Sequence, residues 1–147
     1  MSQSTTFEYV TFRVNDQWFG IPVLKVQEVL LAQRIADVPL APPEVAGFLN
    51  LRGQIVTALD LRTRLGLESA PVTERMNVVV RHDSELFSLL VDEAGDVLSV
   101  EGTAVEATPP TLHAIWLQVC SGIVRRERGL LVVLNVDSLL RIDVVTA

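Results

Sequence analysis

The chain has 147 residues, 49% of them hydrophobic, and sets 12 Lys and Arg against 18 Asp and Glu for a net charge of -6. That length can bury a real core as about one domain, or as two small lobes sharing an interface. The acidic balance disfavours nonspecific attraction to nucleic acid or an anionic membrane surface. Cys120 is the single cysteine, which excludes an intrachain disulfide and a cysteine-based zinc site.

The opening MSQSTTFEY has no basic head followed by an apolar core, and no apolar run approaches the roughly 18 residues a membrane span requires. A soluble, unexported protein is expected. Residues 1–6 are polar and read as loose. Tyr9, Thr11 and Arg13 then alternate with Val10, Phe12 and Val14, the period of a half-buried strand. With the Asn15-Asp16 turn and the run from Trp18 to Val23, residues 7–23 predict a hairpin. Leu24 to Leu31 is ambiguous between a short helix and a twisted strand. Its valines and leucine have helical spacing but its composition is β-branched.

Pro39, Pro42 and Pro43 break the chain, and Pro43 is placed to open one helical turn. Gly47–Arg52 and Gln54–Leu59 predict a second hairpin about Gly53. Asp60 can cap a short helix over Leu61–Leu65, stopped by Gly66.

The second half repeats this plan. Sliding the chain by 68 positions lays Val10, Arg13, Phe19, Val23, Val29 and Leu30 on Val78, Arg81, Phe87, Val91, Val97 and Leu98, six identities in 21 positions. Asn15 meets Asp83 and Glu28 meets Asp96. A shift of 75 lays Gly47 on Gly122, Leu59 on Leu134, Asp60 on Asn135, Thr63 on Ser138 and Leu65 on Leu140. GFLNLRG thus corresponds to GIVRRERG at 122–129, and Pro109 and Pro110 lie in an insertion between the second copy's hairpins. Two copies of one β-unit, each near the lower size limit for an independent core, should pack on each other. Four or five short strands per unit favour small closed or nearly closed barrels, which remove unpaired edges.

Few groups have the arrangement chemistry needs. His82-Asp83-Ser84 holds the residue types of a hydrolytic triad, but three consecutive residues at a hairpin tip cannot form the relay. His113 has no ligand-spaced companions, and no glycine-rich phosphate loop occurs. Asp60 is explained as a helix cap rather than a phosphoacceptor, and Cys120 among apolar neighbours as an inert buried thiol. Trp18 and Trp116 read as core or lobe-interface aromatics. Arg125, Arg126 and Arg128 with Glu127 are a solvated loop or a partner contact. Arg52, set in an apolar run, is expected to be partly buried and in need of a partner, for which Glu28 is the candidate. An ordinary surface arginine near a turn is the other reading.

The segments WFGIPVLKVQEVL, GFLNLRGQIVTALDLRTRLGL, LLVDEAGDVLSV and LLVVLNVDSLL, spread from Phe7 to about Ile142, together resemble the CheW-like adaptors of bacterial chemotaxis. The resemblance implies a mainly β chain of two packed SH3-like five-stranded barrels with short helices. It implies one domain over 7–142, its two subdomains at approximately 15–75 and 76–142, intertwined or adjacent, with the N-terminal strand a candidate for exchange between them. It implies a cytoplasmic, non-catalytic scaffold without cofactor or metal. Such a scaffold couples the regulatory domain of a CheA-type histidine kinase to the cytoplasmic tip of methyl-accepting chemoreceptors, and other CheW-like units in rings are further candidate partners.

Carried onto this sequence, the resemblance pairs Glu28 with Arg52. It assigns Val26, Glu28, Gly47, Arg52, Ala94 and Val97 to receptor binding, and Ile55 and Val56 to the kinase. Ser88 replaces a glycine common in the family, and Val91-Asp92-Glu93 replaces the usual V-D-G. No receiver, phosphotransfer or ATP-binding segment is recognised. The competing reading is a small ligand-binding or enzyme-accessory domain using the cleft between the β-modules.

Overall fold

A computed structural model describes residues 5–68, 75–127 and 129–141. The elements in order are β1 (Thr6–Val14), β2 (Gln17–Pro22), a 3-10 turn (Val23–Lys25), β3 (Val26–Leu30), β4 (Val45–Leu51), β5 (Gln54–Asp60) and α1 (Leu61–Arg64). They continue with β6 (Met76–His82), β7 (Glu85–Val91), β8 (Glu93–Glu101), a second 3-10 turn (Gly102–Ala104), β9 (Val105–Glu106), α2 (Ala114–Val119), β10 (Cys120–Arg126), β11 (Gly129–Leu134) and α3 (Val136–Leu139). The expected mainly β architecture with short helices is the one observed. The ambiguous segment after the first hairpin is a 3-10 turn followed by a strand. The helical turn expected at Pro43 is instead a single tight turn, closed by the Val45 amide donating to the Pro42 carbonyl at 2.9 Å.

The strands form a six-stranded sheet, β8-β1-β2-β11-β10-β9, and a five-stranded sheet, β3-β6-β7-β5-β4. One sheet therefore exceeds the expected five strands, by the two-residue β9 that pairs with β10. Each sheet takes one hairpin from the other half of the sequence. β1 and β2 join β8, β10 and β11, whereas β6 and β7 join β3, β4 and β5. The halves 15–75 and 76–142 accordingly do not coincide with the sheets, and it is whole hairpins that change places. The joins that achieve this are parallel, β2 to β11 and β5 to β7, at equivalent places in the two copies.

Each sheet curls until its ends are joined by the chain that follows one of its end strands, β3 or β8. In the five-stranded sheet, Ala36 after β3 exchanges backbone hydrogen bonds with Phe48 of β4, at 2.7 and 2.9 Å. In the six-stranded sheet, β8 runs through Gly102–Ala104 directly into β9 at the opposite end. Burial follows from this double arrangement. Val79, Leu86 and Leu90 face the interior of the five-stranded barrel with Leu49, Leu51, Val56 and Ala58. Tyr9, Val124, Leu131 and Val133 fill the other barrel. The remaining faces of both exchanged hairpins, Val10, Phe12, Phe19 and Ile21 against Val78, Val80, Leu89 and Val91, meet in one shared core with Leu61, Leu65 and Leu139. Strands covered on both sides need near-continuous apolar runs, hence NVVV and LLV in β6 and β7.

Short-range details agree with the sequence. Asp60 caps α1 by accepting from the Arg62 amide at 3.0 Å, and Asn135 caps α3 by accepting from the Ser138 amide at 3.0 Å. Trp116 meets Phe19 edge to face at 5.4 Å and donates its indole N–H to the Leu65 carbonyl at 2.9 Å, so it belongs to the packing between barrels. Ser88 is fully buried, and its hydroxyl donates to Asn77 Oδ1 at 2.7 Å, a satisfied pair in the place of the missing glycine. Cys120 is half-buried rather than buried, its thiol donating to the Gly122 carbonyl at 3.1 Å.

Candidate functional site

The β4–β5 loop consists of Arg52 and Gly53, with φ of 50° and 88°. Positive φ at both central residues is the geometry of a primed two-residue turn, which normally selects Asn, Asp or Gly. Asn50 Oδ1 supports the turn by accepting from the Gly53 amide at 2.8 Å. The turn throws Arg52 outward, with 68% of its side chain exposed, so the expected partial burial is wrong. Its environment is the barrel rim, because a two-residue loop leaves the apolar strands before its own side chains begin.

The predicted partner is nevertheless in place. Arg52 Nη1 donates to Glu28 Oε1 at 3.2 Å and Nη2 donates to Oε2, a two-point grip across 24 residues of sequence. Glu28 lies on β3, at one end of the five-stranded sheet, whereas Arg52 tips the hairpin at the other end. The pair thus ties the two ends of the curled sheet beside its backbone closure. The hydrogen bonds from Arg52, aided by its charge, hold the Glu28 carboxyl below the usual range despite some desolvation, and Glu28 raises Arg52 in turn.

The other candidates separate. Val26 is half-buried, packed on the shared core at the start of β3. Ala94 and Val97 lie on β8 of the other barrel, Ala94 half-buried and Val97 exposed, at the rim of an open cleft of about 970 Å³ that also holds Trp18 and Arg126. That cleft opens within the six-stranded barrel. Gly47 is buried under the Ala36 closure, where a β-carbon would stand 2.0 Å from the Ala36 carbonyl oxygen. Its requirement is close backbone approach. Ile55 is 62% exposed but Val56 is fully buried, so strand alternation removes Val56 from any contact surface. Phe48, also exposed, shares the outer face of this hairpin with Ile55 and went unnoticed in the sequence; its odd-even parity with buried Leu49 was the available signal.

Sequence reading also misses the ionic cluster at Asp92. This carboxylate accepts from the Asn15 amide at 2.7 Å and from Arg62 Nε and Nη2 at 3.1 and 2.6 Å, with Arg13 at 3.9 Å. Burial works to raise the Asp92 carboxyl, but the bonds from Arg62 and Asn15 outweigh it and leave the group below its ordinary value. Asp60, besides capping α1, pairs with buried Arg75. Asp83 and Ser84 occupy a turn with φ of 49° and 69°, and the His82 ring reaches Asp137 at 3.0 Å, as a hairpin tip rather than a relay. His113 caps α2. Arg125 pairs with Glu106 at 2.8 Å, and Arg128 lies outside the described residues. Among the described residues, no group of His, Cys, Asp or Glu is arranged to hold a metal, and no helix is long and apolar enough to cross a membrane.

Comparison with known proteins bears on this arrangement. A CheW-like domain matches residues 8–144. The chemotaxis protein CheW of Rhizobium meliloti (strain 1021) is 30% identical over 132 residues, covering 89% of this chain and 85% of that protein. CheW of Bacillus subtilis (strain 168) is 30% identical over 133 residues, with 89% and 85% covered. In fold, the chain matches the crystal structure of the scaffolding protein TtCheW from Thermoanaerobacter tengcongensis with a TM-score of 0.84, at 22% identity and 95% coverage of each chain. By the match over residues 8–144 and these relatives, the chain belongs to the CheW-like family.

Proposed function

We infer that this protein is a chemotaxis adaptor, a scaffold that couples a CheA-type histidine kinase to chemoreceptors and performs no reaction of its own. The observation that carries the reading is the CheW-like match over residues 8–144, nearly the whole of the sequence. An adaptor needs two separate faces on a rigid body, and two barrels sharing one core supply the rigidity. We assign receptor capture to the side bearing Val26, Glu28 and Arg52 on one barrel and Ala94 and Val97 on the other. There an amphipathic helix of the receptor's cytoplasmic tip would bury apolar residues while Glu28 and Arg52 set its register. Kinase docking is assigned to the outer face of the β4–β5 hairpin, through Ile55 and Phe48, against the kinase's regulatory domain. The protein would act in the cytoplasm at receptor arrays, with other CheW-like units as ring neighbours.

Reconstitution with the cognate kinase and receptor tests the assignment. Val26→Lys is expected to weaken receptor capture while sparing kinase capture, and Ile55→Glu the reverse. Equal loss of both by either variant, or a wild-type protein that fails to bridge the two partners, overturns it.

A further inference from the structure

The chain passes between the two barrels twice among the described residues, from β2 to β3 and from β7 to β8. The internal repeat relates these crossovers: the 68-residue shift that superimposes the hairpins lays Leu24 on Asp92. Equivalent in ancestry, the two are opposite in construction. Leu24 sits in the 3-10 turn of the first crossover with its side chain 95% exposed, and the nearest ionic tie there is the half-exposed Lys25–Asp137 pair at 3.7 Å. Asp92 is the one residue between β7 and β8, with 11% of its side chain exposed, and it is held from three directions.

Those contacts come from both barrels. Arg62 is on α1, which closes the five-stranded barrel's β5, and grips both carboxylate oxygens. The Asn15 amide belongs to the β1–β2 turn of the six-stranded barrel. The Asp92 amide donates to the Arg13 carbonyl at 3.0 Å, so backbone and side chain are both fixed. One carboxylate therefore binds an element of each barrel at the point where the chain leaves one for the other. A bidentate arginine on such a site restrains orientation as well as distance.

We propose that Asp92 is a positioning residue: with Arg62 and the Asn15 amide it latches the second crossover and fixes the angle between the barrels, while the crossover at Leu24, seated on the shared core by Val23 and Val26, has no such latch. The inference rests on the adaptor reading for its functional consequence. β8, which follows Asp92 directly, carries Ala94 and Val97, and the other assigned residues stand on the other barrel. A change of inter-barrel angle would thus pull apart the receptor-facing side, which spans both barrels, and leave the kinase-facing β4–β5 hairpin, which lies on one barrel, intact.

The test uses the full chain with Cys120→Ser and spin labels at Glu85→Cys on the five-stranded barrel and Ser99→Cys on the six-stranded one. Asp92→Asn keeps the shape and an acceptor for Asn15 but loses the charge, and Arg62→Lys keeps the charge but loses the two-point grip. Both should broaden the inter-label distance distribution, Asp92→Asn more than Arg62→Lys, whereas Leu24→Ser should leave it unchanged. In a reconstituted ternary complex, receptor control of kinase activity should fall about fivefold for Asp92→Asn, with receptor capture weakened and binding to kinase alone unaltered. An unchanged distance distribution overturns the latch, and so does a matching loss of kinase affinity, because the kinase-facing hairpin lies within one barrel and would not feel the angle. Should Asp92→Asn prove misfolded, Arg62→Lys against Leu24→Ser decides on the same readouts. A wild-type protein that does not couple receptor to kinase overturns the adaptor reading, and the distance measurement still judges the latch.

Discussion

The two copies of the repeat agree in their interiors and part company at one corner of each barrel. In the first copy, Glu28 on β3 is gripped by Arg52 from the β4–β5 tip. In the second, Asp96 occupies the position of Glu28, yet among the described residues it makes no ion pair, and Arg125 of the β10–β11 hairpin turns to Glu106 on β9. Both barrels close, but with different chemistry at the rim. Closure is a demand of the fold and is met twice by backbone, and each barrel adds its own ion pair at the rim, a two-point grip in one and Arg125–Glu106 in the other.

That separation can be broken most severely at the glycines beneath the closures. Gly47 and Gly122 are repeat equivalents, and each lies under the chain segment that joins the sheet's ends. A β-carbon on Gly47 would fall 2.0 Å from the Ala36 carbonyl oxygen, at a φ of 152° that L side chains rarely adopt. On Gly122 it would fall 2.9 Å from the Glu106 carbonyl, with no such φ. Gly47→Ala is expected to cost about 3 kcal/mol or more and Gly122→Ala about 1 to 2 kcal/mol by urea unfolding. The shorter clash and the unfavourable φ at Gly47 set this order. Any loss of receptor capture by Gly47→Ala should track this instability.

Arg52 sharpens the contrast next. A bulky residue in the left-handed region is conformationally unfavourable, and asparagine suits the first place of this turn better. Arg52→Asn is therefore expected to leave the melting temperature unchanged or raise it, while receptor control of the kinase drops about tenfold. A variant that melts lower and couples normally would make the rim pair a structural brace.

These features were unequally legible in the sequence. Alternation, turn residues and caps reported the hairpins and the duplication faithfully, because each depends on near neighbours. The residues name Glu28 as the candidate partner of Arg52 but leave an ordinary surface arginine equally open, and the family resemblance chooses the pair. Arg52's surroundings were misread because hydrophobic flanks suggest burial, although the Arg-Gly pair between two strands already indicated a two-residue loop that points outward. Of the hairpin exchange, the resemblance raises only a swap of the N-terminal strand, and the residues do not show the rest: pairing β2 with β11 and β5 with β7 is settled by parallel contacts across the chain, to which local periodicity is blind. Asp92 was hidden for the same reason, since its partners Asn15 and Arg62 are 77 and 30 residues away.

The Asp92 cluster gives a pH-dependent prediction. Its carboxyl titrates below the ordinary aspartate value of 3.8 when folded, so the folded state binds that proton less readily than the unfolded chain. The associated stability is complete above that value and is lost as pH falls through the lower folded one. Wild type should exceed Asp92→Asn by about 2 kcal/mol near neutral pH, as for hydrogen bonds to a charged group, and the gap should shrink steadily below about pH 4. A gap that persists unchanged in acid would trace it to packing rather than charge.

The smallest effect is expected at Asp96, and it bears most directly on what duplication has preserved. Its side chain is exposed, and the hydrogen bond at this position uses the backbone carbonyl, which accepts from the Thr11 hydroxyl at 2.6 Å. Asp96→Ala keeps that carbonyl, so stability should move by no more than about 0.5 kcal/mol, and receptor capture should hold. Glu28→Ala, the same deletion in the other copy, strips Arg52 of its partner and should weaken capture. If the two alanine variants lose receptor binding equally, the acid itself is what both copies retained for docking, and the arginine grip is incidental; if only Glu28→Ala does, the acid acts by orienting Arg52.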